Sequence, residues 1–132
     1  MEELYNYEFT NDMIKNMFEI NNEIINLSKD EVLEKILILQ NIKCDNEQIK
    51  NILESNPFYL NRCTNDVILL VKKLKEIGLV ALNLLFDSNP WLLNKDSFEL
   101  EEFIQLKQKE GMLLEEIVDL LDSNPYAIDE FI

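Results

Sequence analysis

A single tripeptide, Ser-Asn-Pro, occurs three times in this chain and constrains its fold more than any other feature. The copies lie at 55–57, 88–90 and 123–125, so they are 33 and 35 residues apart. An aromatic residue follows each copy (Phe58, Trp91 or Tyr126), and an acidic residue with an apolar run precedes each copy. Self-similarity at this period is typical of repeat proteins, in which each unit packs on its neighbours.

Within one period the pattern predicts a long helix, a shorter helix and a short turn. In the middle unit, Thr64 is predicted to cap a helix whose apolar residues recur every three or four positions. Gly78 is expected to end that helix in the left-handed conformation, before a second helix over about 79–86. Asn89 is predicted to cap the following turn, and Pro90 to be its first residue.

An upstream stretch repeats the helical pattern without a proline, because an offset of 35 residues places Val32 and Ile36 under Val67 and Val71. No segment alternates with a period of two. We therefore predict an all-α fold in one domain over 1–132, a short right-handed α-solenoid of about three helix-turn-helix units. Each unit has two α-helices and a short turn. The predicted units cover about 20–54, 55–87 and 88–122, with a partial unit at 123–132.

The arrangement resembles the mitochondrial transcription termination factor (mTERF) repeat over roughly residues 20–132. The residues that carry the resemblance are the repeated prolines, leucines and glycines: Pro57, Leu60, Leu74 and Gly78, then Pro90, Leu92 or Leu93, Leu106 and Gly111, then Pro125. The resemblance implies a two-helix unit with a 3₁₀ turn. It also implies nucleic-acid binding along a basic concave path, and that basic path is missing here.

The residue inventory argues against several classes of function. The 132 residues include 26 acidic and 12 basic side chains, a formal net charge of −14, and no histidine. Nucleic-acid binding and docking on anionic membranes both depend on Lys and Arg, so this balance disfavours them. Without histidine the commonest general base and metal ligand are absent. The two glycines are too far apart for a phosphate-binding loop. We expect no enzyme, no metal and no cofactor.

Cys44 and Cys63 are the two cysteines, and they lie nineteen positions apart. Two thiols alone cannot complete a zinc site, which needs about four ligands. We expect two reduced thiols in a cytosolic protein, with a disulfide as the alternative. The longest apolar run, 67–71, is far short of the roughly 20 residues that a membrane span needs. A cytoplasmic protein without a membrane segment is predicted.

The strongest local concentration of charge is an acidic stretch at the end of the chain. Residues 111–132 contain six acidic and no basic residues, whereas 41–110 contain eleven acidic and nine basic ones. We name the predicted partner-binding set the acidic face: Glu115, Glu116, Asp119, Asp122, Asp129 and Glu130. Within it, Glu115, Asp119 and Asp122 are spaced by 4 and 3 and so share one side of a helix. A solvated cap of the last repeat is the alternative reading, as are a metal site and an acid–base pair.

The basic residues that could form an alternative nucleic-acid patch are Lys72, Lys73, Lys75 and Arg62. The three lysines lie on the predicted long helix of the middle unit, and the favoured interpretation is that they form its solvent-exposed side, since only Arg62 has the planar group suited to phosphate. Trp91 and the aromatic residues at the other two corners are predicted to pack between adjacent repeats, with an exposed binding ridge as the alternative.

These observations favour a non-enzymatic protein-binding module whose partner has a basic surface. Carboxylates at suitable spacing can stand in for nucleic-acid phosphates, as in phage inhibitors of nucleases or of CRISPR effectors. The alternative hypothesis is an mTERF-like regulatory protein that binds nucleic acid through the lysine patch. The oligomeric state is left open by the sequence.

Overall fold

The computed structural model describes residues 1–130, and over that range the chain is all-α without a strand, as predicted. The described elements are seven α-helices and five 3₁₀ helices, labelled η. In chain order they are η1 (Glu2–Tyr7), α1 (Asn11–Ile20), η2 (Asn22–Asn26), α2 (Lys29–Asn41), α3 (Asn46–Ser55), η3 (Pro57–Asn61), α4 (Thr64–Ile77), α5 (Leu82–Ser88), η4 (Pro90–Asn94), α6 (Ser97–Lys109), α7 (Leu114–Ser123) and η5 (Ala127–Glu130).

The order η, long α, short α repeats three times from η2 to α7, and equivalent elements of successive units pack together. The long helices form one series, in which α2 packs on α4 and α4 on α6. The shorter helices α1, α3 and α5 form a second series, and η2, η3 and η4 form a third. This stacking is the nearest-neighbour packing that a 33- to 35-residue period predicts. The right-handed α-solenoid stays a prediction.

Polar side chains begin the helices of the first unit. Ser28 accepts a hydrogen bond from the backbone N–H of Glu31 at 3.2 Å, and Asp45 accepts one from the backbone N–H of Gln48 at 2.8 Å. Both pairs form capping boxes, because the Glu31 and Gln48 side chains bond back to the N–H groups of Ser28 and Asp45. The predicted cap at Thr64 is wrong by one residue, because Cys63 precedes the helix and Thr64 is its first residue. The Thr64 hydroxyl instead donates to a carboxylate oxygen of Glu34 on α2, at 3.0 Å.

Left-handed residues end the long helices. Gly78 follows α4 with φ +116°, as predicted, and Gly111 follows the last turn of α6 with φ +96°. Lys43 takes this conformation after α2, with φ +75°, although it carries a side chain. The predicted start of α5 near Leu79 is wrong, because the N–H of Leu79 bonds back to the carbonyl of Leu74 and the new helix starts only at Leu82.

Residues 1–20, which the repeat pattern leaves unassigned, fold as η1 and α1 and cover the first unit. Leu4, Phe9 and Met17 are buried there, and Thr10 caps α1 by accepting from the N–H of Met13 at 3.2 Å. Because α1 packs on α3, it occupies the place of a short helix in a preceding unit.

One charged residue lies among the buried side chains. Lys35 of α2 is only 2% exposed, and within residues 1–130 no carboxylate forms an ion pair with it. Burial lowers the pKa of its ammonium group, since desolvation penalises the charged form. Its carbonyl accepts a hydrogen bond from the hydroxyl of Tyr59 at 2.7 Å. Burial raises the pKa of that hydroxyl.

Candidate functional site

The asparagines of the repeated motif join the units to one another. The side-chain amide of Asn56 donates to the carbonyl of Pro90 and to Oδ1 of Asn94, both at 3.0 Å. Asn89 donates in the same way to the carbonyl of Pro125 at 2.9 Å and to Oδ2 of Asp129 at 3.1 Å. Neither side chain caps its own turn. Asn89 thus holds the predicted N-cap position before Pro90, but its side chain bonds to the next unit instead of to its own turn.

A third asparagine, which the repeated tripeptide does not include, makes the same kind of contact. Asn21 has no proline after it, yet its amide donates to the carbonyl of Pro57 at 3.4 Å and to Oδ1 of Asn61 at 2.7 Å. Asn21, Asn56 and Asn89 are all buried, and each bonds to the following unit. We call these three residues the asparagine ladder, and each of them with its partners a rung. The 35-residue offset from Asn56 to Asn21 is the signal that could have found it.

The last rung of the asparagine ladder, at Asn89, lacks one hydrogen bond that the middle rung has. In the middle rung Asn94 returns a hydrogen bond from its amide to Oδ1 of Asn56, at 3.0 Å. Asp129 stands at the equivalent position of the next unit and, as a carboxylate, has no hydrogen to return. Oδ1 of Asn89 is accordingly buried without a hydrogen-bond partner in the described part of the chain. Asp129 also pairs with Lys95, at 3.5 Å.

The aromatic residues after the prolines are more exposed than predicted. Trp91 is 47% exposed, and Phe58 and Tyr126 are similarly half-exposed. The rings of Phe58 and Trp91 do contact across adjacent units, with centroids 5.7 Å apart. The hydroxyl of Tyr126 donates to the carbonyl of Ser88 at 2.8 Å. The predicted contact between repeats is thus present, but Trp91 is only half-buried in it.

The structure divides the predicted acidic face into residues with internal partners and residues that remain free. Glu116 accepts a hydrogen bond from the N–H of Leu113 at 2.9 Å, and Asp129 bonds with Asn89 and Lys95 as described above. The side chain of Glu130 lies outside the described part of the chain. The remaining three, Glu115, Asp119 and Asp122 on α7, are exposed and form no ion pair in residues 1–130. We call these three residues the acidic row.

An apolar cleft of about 300 Å³ adjoins this row between α5 and α7. Its lining residues are Ala81, Leu84, Leu85, Ser88, Asp122 and Pro125. Asp122 therefore belongs both to the acidic row and to the wall of the cleft. Leu84 is more than half exposed, and Val80, just before the cleft residues in the chain, is almost fully exposed. Carboxylates and exposed apolar side chains thus meet at one end of the molecule.

The predicted basic patch is dispersed. Arg62 donates from its guanidinium to the carbonyls of Leu93 and Lys95, at 3.3 Å and 3.0 Å, so it ties η3 to η4. Lys73 pairs with Glu101 of α6 at 2.6 Å. Lys72 and Lys75 remain exposed and line a separate groove between α2 and α4. The four residues do not present one cationic surface.

The two cysteines are free thiols, so the disulfide alternative is excluded. Cys44 is buried, and burial raises the pKa of its thiol to about 12. Cys63, before α4, is exposed.

Two further features bear on the chemistry of the described chain. Residues 1–130 contain no cluster of three or more Cys, Asp or Glu side chains placed to hold a metal ion. None of the helices over that range has both the length and the apolar character needed to cross a bilayer.

No protein-family model, curated protein or solved structure matches the chain.

Proposed function

We propose that this chain is a non-enzymatic protein-binding module that recognises a basic surface through the acidic row of α7. The proposal depends on one observation: Asp122 belongs both to the acidic row, whose carboxylates are unpaired, and to the wall of the exposed apolar cleft. Charge accelerates the encounter with a partner of opposite sign, whereas buried apolar contacts supply most of the affinity. A surface that combines both is suited to binding a protein.

The spacing of the carboxylates supports mimicry of a nucleic-acid backbone as the mechanism. The three residues of the acidic row span seven helical steps, which is about 10 Å of helix axis at the ordinary rise. That is roughly one charge every 5 Å, of the same order as the ~3.4 Å per phosphate along one strand of DNA. A basic groove that binds nucleic acid would therefore meet a row of negative charges on α7 at a comparable spacing.

The cationic residues of the chain do not neutralise this row. Residues 111–132 contain no lysine or arginine, and Lys95, which contacts the last unit, pairs with Asp129 and Glu99. The field of the acidic row is thus directed to solvent, where it can attract a basic partner over about a Debye length.

The half-exposed aromatic residues supply contact area beside the acidic row. The hydroxyl of Tyr126 donates to Ser88, which lines the cleft, and Trp91 follows Ser88 by three positions. Aromatic residues are enriched where protein interfaces bury most of their surface. Binding by an mTERF-like basic path gains no support from this arrangement, because Arg62 and Lys73 are engaged within the fold.

The test compares the wild-type chain with the triple variant Glu115→Lys/Asp119→Lys/Asp122→Lys as baits for partners in a cell lysate. A control variant, Asp12→Lys/Glu19→Lys/Glu23→Lys, makes the same change in net charge at exposed positions near the other end. We expect the wild-type chain and the control to capture the same basic nucleic-acid-binding protein, and the α7 variant to lose it with unchanged helicity by circular dichroism.

A titration of the purified partner then tests the mechanism. Affinity is expected to fall steeply between about 50 mM and 200 mM salt, and duplex DNA is expected to compete. Equal loss of binding in both charge variants, or an affinity that does not respond to salt, would contradict the proposal. Binding of the free chain to DNA in an anisotropy titration at low salt would favour the nucleic-acid alternative instead.

A further inference from the structure

An apolar groove lies between α2 and α4, on elements that take no part in the acidic row. It has a volume of about 470 Å³, within the range of sites that hold small molecules. Its lining residues are Ile38, Asn41, Ile42, Ile68, Val71, Lys72, Lys75 and Glu76. Four of the eight are branched aliphatic side chains, and Ile68 is 46% exposed although it lies in the wall.

The equivalent place one unit later has a different composition. The buried residues of α2 match those of α4 at an offset of 35 residues, and the buried residues of α4 match those of α6 at an offset of 33. Ile38 therefore corresponds to Lys73, and Ile68 corresponds to Glu101. Lys73 and Glu101 form an ion pair of 2.6 Å across the seam between α4 and α6. At the same register the seam between α2 and α4 carries two isoleucines, which line an open groove instead.

The charges of the groove are concentrated toward one end of α4. Along that helix the apolar residues Ile68 and Val71 come first, and Lys72, Lys75 and Glu76 follow. Lys72 is 4.0 Å from Glu76, the limit of an ion pair, and Lys75 has no ion-pair partner among residues 1–130. An apolar segment followed by an edge with two lysines and one glutamate, which is cationic on balance, is complementary to a molecule with an apolar chain and one anionic head.

We propose that the groove between α2 and α4 binds an amphiphilic carboxylate of the fatty-acid class. Its chain lies against Ile38, Ile68 and Val71, where apolar surface is removed from water. Its carboxylate lies at the edge formed by Lys72 and Lys75, where ammonium groups donate charge-assisted hydrogen bonds. This site is separate from the acidic row, so it does not depend on the function proposed above.

The test follows ¹⁵N-labelled full-length protein by NMR during titration with dodecanoate below its micelle-forming concentration. Saturable shifts are expected at the amides of Ile68, Val71 and Lys75. Dodecylammonium, with the same chain and the opposite charge, is expected to bind more weakly. The variant Lys72→Gln/Lys75→Gln should lower the affinity for dodecanoate about fivefold, since two exposed charge contacts are lost. The control Lys15→Gln/Lys109→Gln removes two exposed lysines elsewhere and should change nothing.

A second variant transfers the ion pair of one seam to the other. Ile38→Lys/Ile68→Glu places at the groove the residues that stand at the corresponding positions of α4 and α6, so the fold is expected to tolerate them. Binding of dodecanoate should then be lost. Unchanged binding in this variant, tighter binding of dodecylammonium than of dodecanoate, or the absence of saturable shifts at the groove would each overturn the proposal.

Discussion

Truncation of Asn56 provides the most direct test of how the units are joined. Its side chain is completely buried, donates two hydrogen bonds of 3.0 Å to the next unit and accepts one in return. In Asn56→Ala the carbonyl of Pro90 loses the donor that Asn56 provides. Leaving one buried polar group unpaired costs about 1–3 kcal/mol, and the lost bonds to Asn94 add to this.

We therefore expect Asn56→Ala to lower the free energy of unfolding by about 3 kcal/mol, measured by urea denaturation followed by circular dichroism. For a chain of this size the melting temperature should fall by about 10 °C. Asn56→Asp keeps the shape but removes the donor and buries a charge, so its cost should be at least as large.

Asn51→Ala is the matched control, because Asn51 also joins two units through its amide. It donates to the carbonyl and the carboxylate of Asp87, at 3.1 Å and 2.8 Å, but it is exposed. Water replaces these bonds in the variant, so the expected cost is about 0.5 kcal/mol. If Asn56→Ala costs no more than Asn51→Ala, the reasoning that burial makes the ladder important is refuted.

Three further predictions follow from individual side chains. Asp129→Asn should stabilise the chain by about 1 kcal/mol in urea denaturation, because its amide can donate to the unpaired Oδ1 of Asn89; a destabilised variant would show that the ion pair with Lys95 matters more. Lys35→Met should also raise the free energy of unfolding, since an apolar chain of similar length replaces a buried ammonium group without an ion pair. A loss of stability would mean that the ammonium group has a stabilising role. In native protein at neutral pH, iodoacetamide should modify Cys63 and leave Cys44 unmodified until urea unfolds the chain, as read by mass spectrometry; rapid labelling of Cys44 would contradict its burial.

The acidic row could be found from the sequence because its members lie on one helix. A spacing of four and three residues places Glu115, Asp119 and Asp122 on one side of α7 whatever the rest of the chain does. The roles of Asp129 and Arg62 could not be found in this way. Each bonds to a residue more than 30 positions away, and no local pattern indicates which carbonyl or amide will be there.

The sequence by itself determined the helical class, the period of the units and most helix boundaries, because caps, glycine ends and apolar spacing act within about four residues. Only the tertiary structure decided which side of each unit faces the next. That choice turned Asn89 from an expected cap into a link between units, left Trp91 half-exposed, and opened a groove at Ile68. Such outcomes depend on the rotation and separation of stacked helices, which the sum of many weak packing contacts sets and no single motif specifies.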